Sequence, residues 1–138
     1  MRLEWTPQLA VGVELIDEQH RELFRRMNAL RVAMTSGRAK EEIPRLLDFL
    51  TDYVVAHFRA EERIMSRTGY PSYIAHRDLH AAFSTEFFEL REEIDVRGYA
   101  PSLVIRLNQK LSDWLVEHIM KVDKNLGGFL QSNGVDVG

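Results

Sequence analysis

Residues 53–90 read YVVAHFRAEERIMSRTGYPSYIAHRDLHAAFSTEFFEL, and this stretch decides the fold. On either side of the break Gly69-Tyr70-Pro71-Ser72, apolar residues recur at helical spacing: Tyr53, Val54 and Phe58 before it, Leu79, Phe83, Phe87 and Leu90 after it. Histidine lies among those stripes, as His57 four residues before Glu61 and as His76 four residues before His80. Residues four apart on a helix stand on one face about one turn apart, so each pair can reach a common point. Two successive helices that turn imidazole and carboxylate toward their own apolar side describe a helical bundle with a polar site inside it.

The rest of the chain repeats the pattern. Gly37 and Gly98 each follow a periodic stretch, as glycine does at helix C-termini, and Pro44 and Pro101 stand where a first turn tolerates proline. The expected helices are 16–36, 41–67, 72–96 and 101–124. Leu23, Met27, Leu30 and Met34 form the stripe of the first, Leu46 and Leu50 extend that of the second, and Leu107, Leu111, Leu115 and Ile119 form that of the fourth. Connections of a few residues between long helices favour antiparallel neighbours. The predicted fold is therefore all-α, an antiparallel up-down-up-down four-helix bundle.

A length of 138 residues suits one domain that buries a core without disulfides. Residues 1–12, with Trp5 and Pro7, read as an N-terminal arm, about 13–126 as the bundle, and 127–138 as a short helical end followed by a frayed tail. There is no internal repeat or low-complexity linker. Cysteine is absent, which excludes thiolate metal sites and fits a cytoplasmic protein, so any metal sees only nitrogen and oxygen. The formal charge of −3, with basic and acidic residues interleaved, points to neither nucleic acid nor a membrane surface. No stretch has the apolar length of a signal peptide or a membrane span.

All five histidines fall on these faces. His20 shares the stripe of Ile16, Leu23 and Met27, and His118 follows Trp114 by about a turn, five residues before Asp123. A lone inward histidine is ordinarily a hydrogen-bonded core residue. Five of them, with Glu61 and Asp123 buried beside them, are explained by metal, because buried charges are paired or metal-bound. His20, His57, Glu61, His76, His80, His118 and Asp123 are too many ligands for one tetrahedral zinc, and their chemistry suits iron or manganese better than calcium or magnesium. Two six-coordinate ions bridged by both carboxylates and by an oxide or hydroxide use every ligand and leave one coordination position over. Residues five apart are about 140° apart on a regular helix, so His118 and Asp123 are expected to approach from different directions.

The segments Asp17-Glu18-Gln19-His20, His57-Phe58-Arg59-Ala60-Glu61-Glu62, His76-Arg77-Asp78-Leu79-His80 and Trp114 through Asp123 (WLVEHIMKVD) resemble, in order and spacing, the four ligand-bearing motifs of the hemerythrins, and within them the single-domain bacteriohemerythrins. The resemblance spans essentially the whole chain. It implies a non-haem di-iron centre that binds dioxygen reversibly, for transport, storage or delivery. His76, His80 and His118 would hold the fully coordinated iron, His20 and His57 the iron with the open position, and Glu61 and Asp123 the bridges. Reversibility asks for a water-excluding pocket without proton donors, for which Leu23, Phe58, Trp114, Leu115 and Ile119 are the candidates.

Smaller expectations concern the surroundings. Asp17, Glu62, Asp78 and Glu117 could accept a hydrogen bond from a ligand histidine, although surface charge or capping is the plainer reading. Tyr53 and Tyr73 are expected to carry their ring ends to the bundle surface, and Arg25, Arg26, Arg59 and Arg63 form a solvated face. A di-iron oxidase or peroxidase would want a substrate channel and a proton donor, and the Glu-x-x-His pairs of ferritin-like enzymes are missing. An oxygen-sensing module acting through a partner protein is the third class. An oxygen-consuming partner enzyme is left open, and no catalytic residue is assigned.

Overall fold

The computed structural model describes residues 4–133. The frayed tail expected at the C-terminus falls in 134–138, and the start of the expected arm in 1–3; both lie outside the described residues. The described residues are helical with no strand. A 3-10 turn at Pro7–Leu9 precedes α1 (Glu14–Thr35), α2 (Ala39–Asp52), α3 (Phe58–Thr68), α4 (Tyr73–Arg97), α5 (Pro101–Asp113) and α6 (Lys124–Ser132). α2 and α3 are joined without a break by a π-helical stretch, Tyr53–His57, and α5 and α6 by a second one, Trp114–Asp123. The described residues thus make four long rods that pack as a helical bundle.

The breaks are those the glycines mark. Gly69 ends α3 in the left-handed region at φ 70°, where the Met65 carbonyl accepts the N–H groups of both Gly69 and Tyr70. α2 starts earlier than its proline suggested: Pro44 lies in the second turn rather than the first. The reason is the tight link at Gly37, after which Arg38 accepts from Glu41 and Glu42 and opens the next helix directly.

One correction concerns the third stripe. Leu79 is 44% exposed, and the buried face of α4 is His76, His80, Phe83, Phe87, Leu90 and Ile94. Leu79 neighbours His80 in sequence, so it cannot share the histidine's inward direction on a regular helix.

Two apolar clusters divide the interior. The larger contains Leu23, Leu30, Leu50, Phe58, Phe83, Phe87, Leu111, Trp114, Leu115 and Ile119, and the smaller contains Val11, Val13, Ile16, Ile64, Met65, Leu126 and Leu130. On three of the rods a metal-ligand candidate lies at the junction: His20 between Ile16 and Leu23, Glu61 between Phe58 and Ile64, Asp123 between Ile119 and Leu126. A polar layer therefore crosses the bundle near one end. The arm closes that end. Asp17, buried, accepts hydrogen bonds from the N–H groups of Val11 (2.8 Å) and Gly12 (3.4 Å), and the Arg21 guanidinium lies 4.8 Å above the Trp5 ring. A Cβ on Gly127 would stand 2.8 Å from Val11 Cα, so only glycine lets α6 approach the arm this closely.

Candidate metal centre

All seven ligand candidates are buried, and their ligand atoms converge into two groups. One is His20, His57, Glu61 and Asp123; the other is Glu61, His76, His80, His118 and Asp123. Within each, the ligand atoms lie within 4.8 Å of one another. Both carboxylates belong to both groups, and each divides its oxygens between them. Glu61 turns Oε2 to His20 (3.5 Å) and His57 (3.2 Å), and Oε1 to His76 (3.2 Å) and His80 (3.0 Å). Asp123 turns Oδ2 to His20 (3.1 Å), and Oδ1 to His76 (2.9 Å) and His118 (3.2 Å).

The π-helical stretches make this convergence. Hydrogen bonds from residue i to i+5 stack residues five apart, so His118 and Asp123 point the same way and meet at 3.2 Å. The expectation that they approach from different directions is thereby corrected, because it assumed a regular α-helix. A signal was present in the sequence. Leu107, Leu111, Leu115, Ile119 and Asp123 follow one another at steps of four, and each step overshoots a regular turn by about 40°. Widening the helix keeps such a series on one face. Leu46, Leu50, Val54 and Phe58 do the same ahead of Glu61.

Tautomers are set from outside the layer. His57 Nδ1–H donates to Gln19 Oε1 at 2.6 Å and His80 Nδ1–H to Glu62 Oε2 at 2.9 Å, which turns the lone pair of each Nε2 inward. Those inward nitrogens face others of their kind, His57 facing His20 at 3.0 Å and His80 facing His118 at 3.2 Å. Of the four acids weighed as outer partners, Glu62 takes that part. Asp17 holds the arm, and Asp78 and Glu117 are exposed and paired with Arg77 and Lys121. Gln19 was not foreseen, although it immediately precedes His20.

Electrostatics in the metal-free chain follow from burial and crowding. Burial pulls the His20 ring toward its neutral form, but the close approach and negative charge of the Asp123 and Glu61 carboxylates outweigh it and raise its pKa to about 10. The same contest raises His76 to about 9. For His57 and His118 burial wins, and both are lowered. Glu61 and Asp123 are pushed up by burial, yet the histidines around them hold both below the usual carboxylate range. Two buried carboxylates thus demand positive charge. Glu61 Oε2 and both Asp123 oxygens have no well-aligned hydrogen-bond donor despite the nearby imidazoles. Converging imidazole nitrogens with carboxylate oxygens left unsatisfied are the donor set of a transition-metal cation, and the residues fit one.

The surrounding aromatic residues divide unequally. Phe58 stacks on His80 (centroids 4.0 Å apart, planes 3° apart) and Trp114 on His118 (3.8 Å, 8°), so both lie against the three-histidine group. Against His57 the stacked ring is Tyr53 (4.5 Å, 14°). Tyr53 is buried, not directed to the surface as expected, and its hydroxyl accepts from Trp114 Nε1–H at 3.3 Å. The π-helical turn rotates it inward with His57. Burial and the negative charge of Asp123 and Glu61 raise its phenol well above its ordinary pKa. Tyr73 is half-buried with Arg77 near its ring. Arg25, Arg59 and Arg63 are exposed, whereas Arg26 is half-buried over Phe49. Leu23, Leu115 and Ile119 are fully buried beside Phe58 and Trp114 in the larger apolar cluster.

Known proteins resemble the chain over most of its length. The chain is 34% identical over 135 residues to a bacteriohemerythrin of Methylococcus capsulatus, covering 94% of this chain and 98% of that one. It is 33% identical over 122 residues to a bacteriohemerythrin of Stenotrophomonas maltophilia, covering 88% and 77%. A hemerythrin-like protein of Naegleria gruberi is 29% identical over 126 residues, covering 91% and 92%. The model of the hemerythrin HHE cation binding domain matches residues 11–130, from the arm into α6, and the chain belongs to that family.

Proposed function

We propose that this protein binds dioxygen reversibly at a non-haem di-iron centre, as a transport, storage or delivery protein rather than an enzyme. The observation that carries the reading is the division of both carboxylates: one oxygen of Glu61 and one of Asp123 face each histidine group. In this reading Glu61 and Asp123 bridge two irons, together with an oxide or hydroxide. His76, His80 and His118 complete one iron, and His20 and His57 leave the other a position for dioxygen. A bound ferrous pair supplies the electrons that dioxygen takes up and gives back.

The chain's own residues make the exchange reversible. Leu23, Phe58, Trp114, Leu115 and Ile119 keep water from the centre, and Gln19 and Glu62 hold two of the imidazoles in their metal-facing tautomer. The resemblance to bacteriohemerythrins supports an antiparallel up-down-up-down bundle, a single domain over 1–138 and a cytoplasmic location; no described helix is long and apolar enough to cross a membrane. A second reading, a di-iron oxidase or peroxidase, draws on Tyr53, a phenol stacked on His57. Burial, the main cause of its raised pKa, disfavours the phenolate that proton donation would leave behind, which favours the carrier.

The experiment is an anaerobic titration of iron-analysed protein with dioxygen, followed by removal of the gas. A visible charge-transfer band that appears with oxygen and vanishes without it, at two irons per chain, supports the carrier. Irreversible oxidation, or turnover when a reductant is added, supports the enzyme. Failure to bind iron sinks both.

A further inference from the structure

A groove of about 930 Å³ runs between α4 and the rod formed by α5 and the second π-helical stretch. Its floor is apolar and aromatic, made by Phe83, Leu90 and Trp114, and it reaches His118. Oxygen binding gives this space no task, because dioxygen needs far less room. Its volume is that of a small-molecule site.

Trp114 connects the groove to the whole metal centre. Its ring stacks on His118 at 3.8 Å, and its Nε1–H donates to the Tyr53 hydroxyl at 3.3 Å. Tyr53 in turn stacks on His57 at 4.5 Å. A continuous aromatic path therefore leads from the groove to a histidine of each group.

The rim says what kind of molecule fits. Both lining cations are already engaged across the groove, Arg106 by Glu93 at 2.8 Å and Lys110 by Glu86. An anion would have to displace a carboxylate. Glu89, Asp113 and Glu117 add further acceptors, so a ring carrying hydroxyl donors is favoured over an anionic one.

We propose that this groove binds a neutral, planar two-electron reductant of the hydroquinone class, which lies in the groove against Trp114, itself packed between His118 and Phe83, and returns electrons to the oxidised centre through it. The hydroquinone loses two electrons and two protons as its O–H bonds break, and becomes the quinone. The electrons convert two ferric ions to ferrous, and the protons pass to the rim carboxylates and on to water. The electron-transfer half rests on the di-iron reading, whereas the binding half does not.

The test begins with the metal-free full chain carrying Trp5→Phe, which leaves Trp114 as its only tryptophan. Anaerobic titration with 1,4-naphthohydroquinone is expected to quench Trp114 fluorescence saturably. Ala82→Phe, on an exposed helix position that lines the groove, is expected to weaken binding about tenfold with the thermal melt unchanged, as is a sulfonate on the probe; tenfold corresponds to about 1.4 kcal/mol. In the iron-loaded oxidised chain, the reduction rate is expected to saturate over the same concentrations and to fall in Ala82→Phe. Quenching that never saturates, or is indifferent to Ala82→Phe, overturns the site. Saturable binding with a reduction rate that Ala82→Phe leaves unchanged overturns the electron path. Saturable quenching in a chain that binds no iron upholds the groove and sinks the di-iron reading instead.

Discussion

The two histidine groups share the same two carboxylates yet are built differently. The group with His76, His80 and His118 is walled by Phe58 and Trp114 stacked on two of its rings, and Glu62 backs His80. The group with His20 and His57 has fewer imidazoles, with Tyr53 stacked on His57 and Gln19 behind it. A carboxylate outer partner makes an imidazole more basic than an amide does. The three-histidine group is thus the more strongly donating and has more of its rings stacked on aromatic neighbours, and the pair is asymmetric before any ligand arrives.

Removing what the groups share should cost most. Glu61→Ala or Asp123→Ala is expected to abolish metal binding at both groups, because each takes an oxygen from both and leaves buried histidines facing a lost anion. Metal analysis after reconstitution checks this; retention of one tightly held ion would show that the groups are independent. Next comes packing. Trp114→Ala should lower the unfolding free energy by about 3–5 kcal/mol, since it empties a wall of the three-histidine group. Chemical denaturation of the metal-free chain reads that loss without interference from metal.

The outer partners sharpen the asymmetry. Glu62→Gln should weaken metal binding at the His80 side, and Gln19→Ala at the His57 side, each by about 10–100-fold. Competition with a chelator measures both, and equal losses at a single site would refute two distinct groups. Tyr53→Phe removes one hydrogen bond and should cost about 1 kcal/mol.

Acidity offers a finer probe. His20 and His76 are raised above the ordinary histidine value of 6.5, so their protonation stabilises the metal-free fold fully below that value, and the benefit fades as pH rises through about 9 and 10. Glu61 and Asp123 are depressed, so their contribution is present above the ordinary carboxylate range and is lost as acid protonates them. Metal must displace the histidine protons. Uptake at pH 8 should release more protons than uptake above pH 10, as calorimetry in two buffers of different ionisation heat would show.

The helical rods, their glycine stops and the ligand candidates were legible because each depends on local chemistry and on a short period along the chain. His57 with Glu61, and His76 with His80, needed only the geometry of one helix. Leu79 was misplaced because a stripe can be drawn through either of two adjacent residues, and the choice falls to the histidine it must bring inward. The burial of Tyr53 and the meeting of His118 with Asp123 depend on local widening of the helix, which the run of four-residue steps hinted at but regular geometry hid.

What the sequence determined by itself was the inventory: four rods, five imidazoles and two carboxylates on inward faces, and no thiol. Only the tertiary structure decided how the carboxylate oxygens divide, that Gln19 and Glu62 set two tautomers, and that a groove opens onto Trp114. The reason is one of range. A helix imposes its period on neighbours a turn apart, whereas those contacts join residues on different rods, and their distances exist only once the rods have packed.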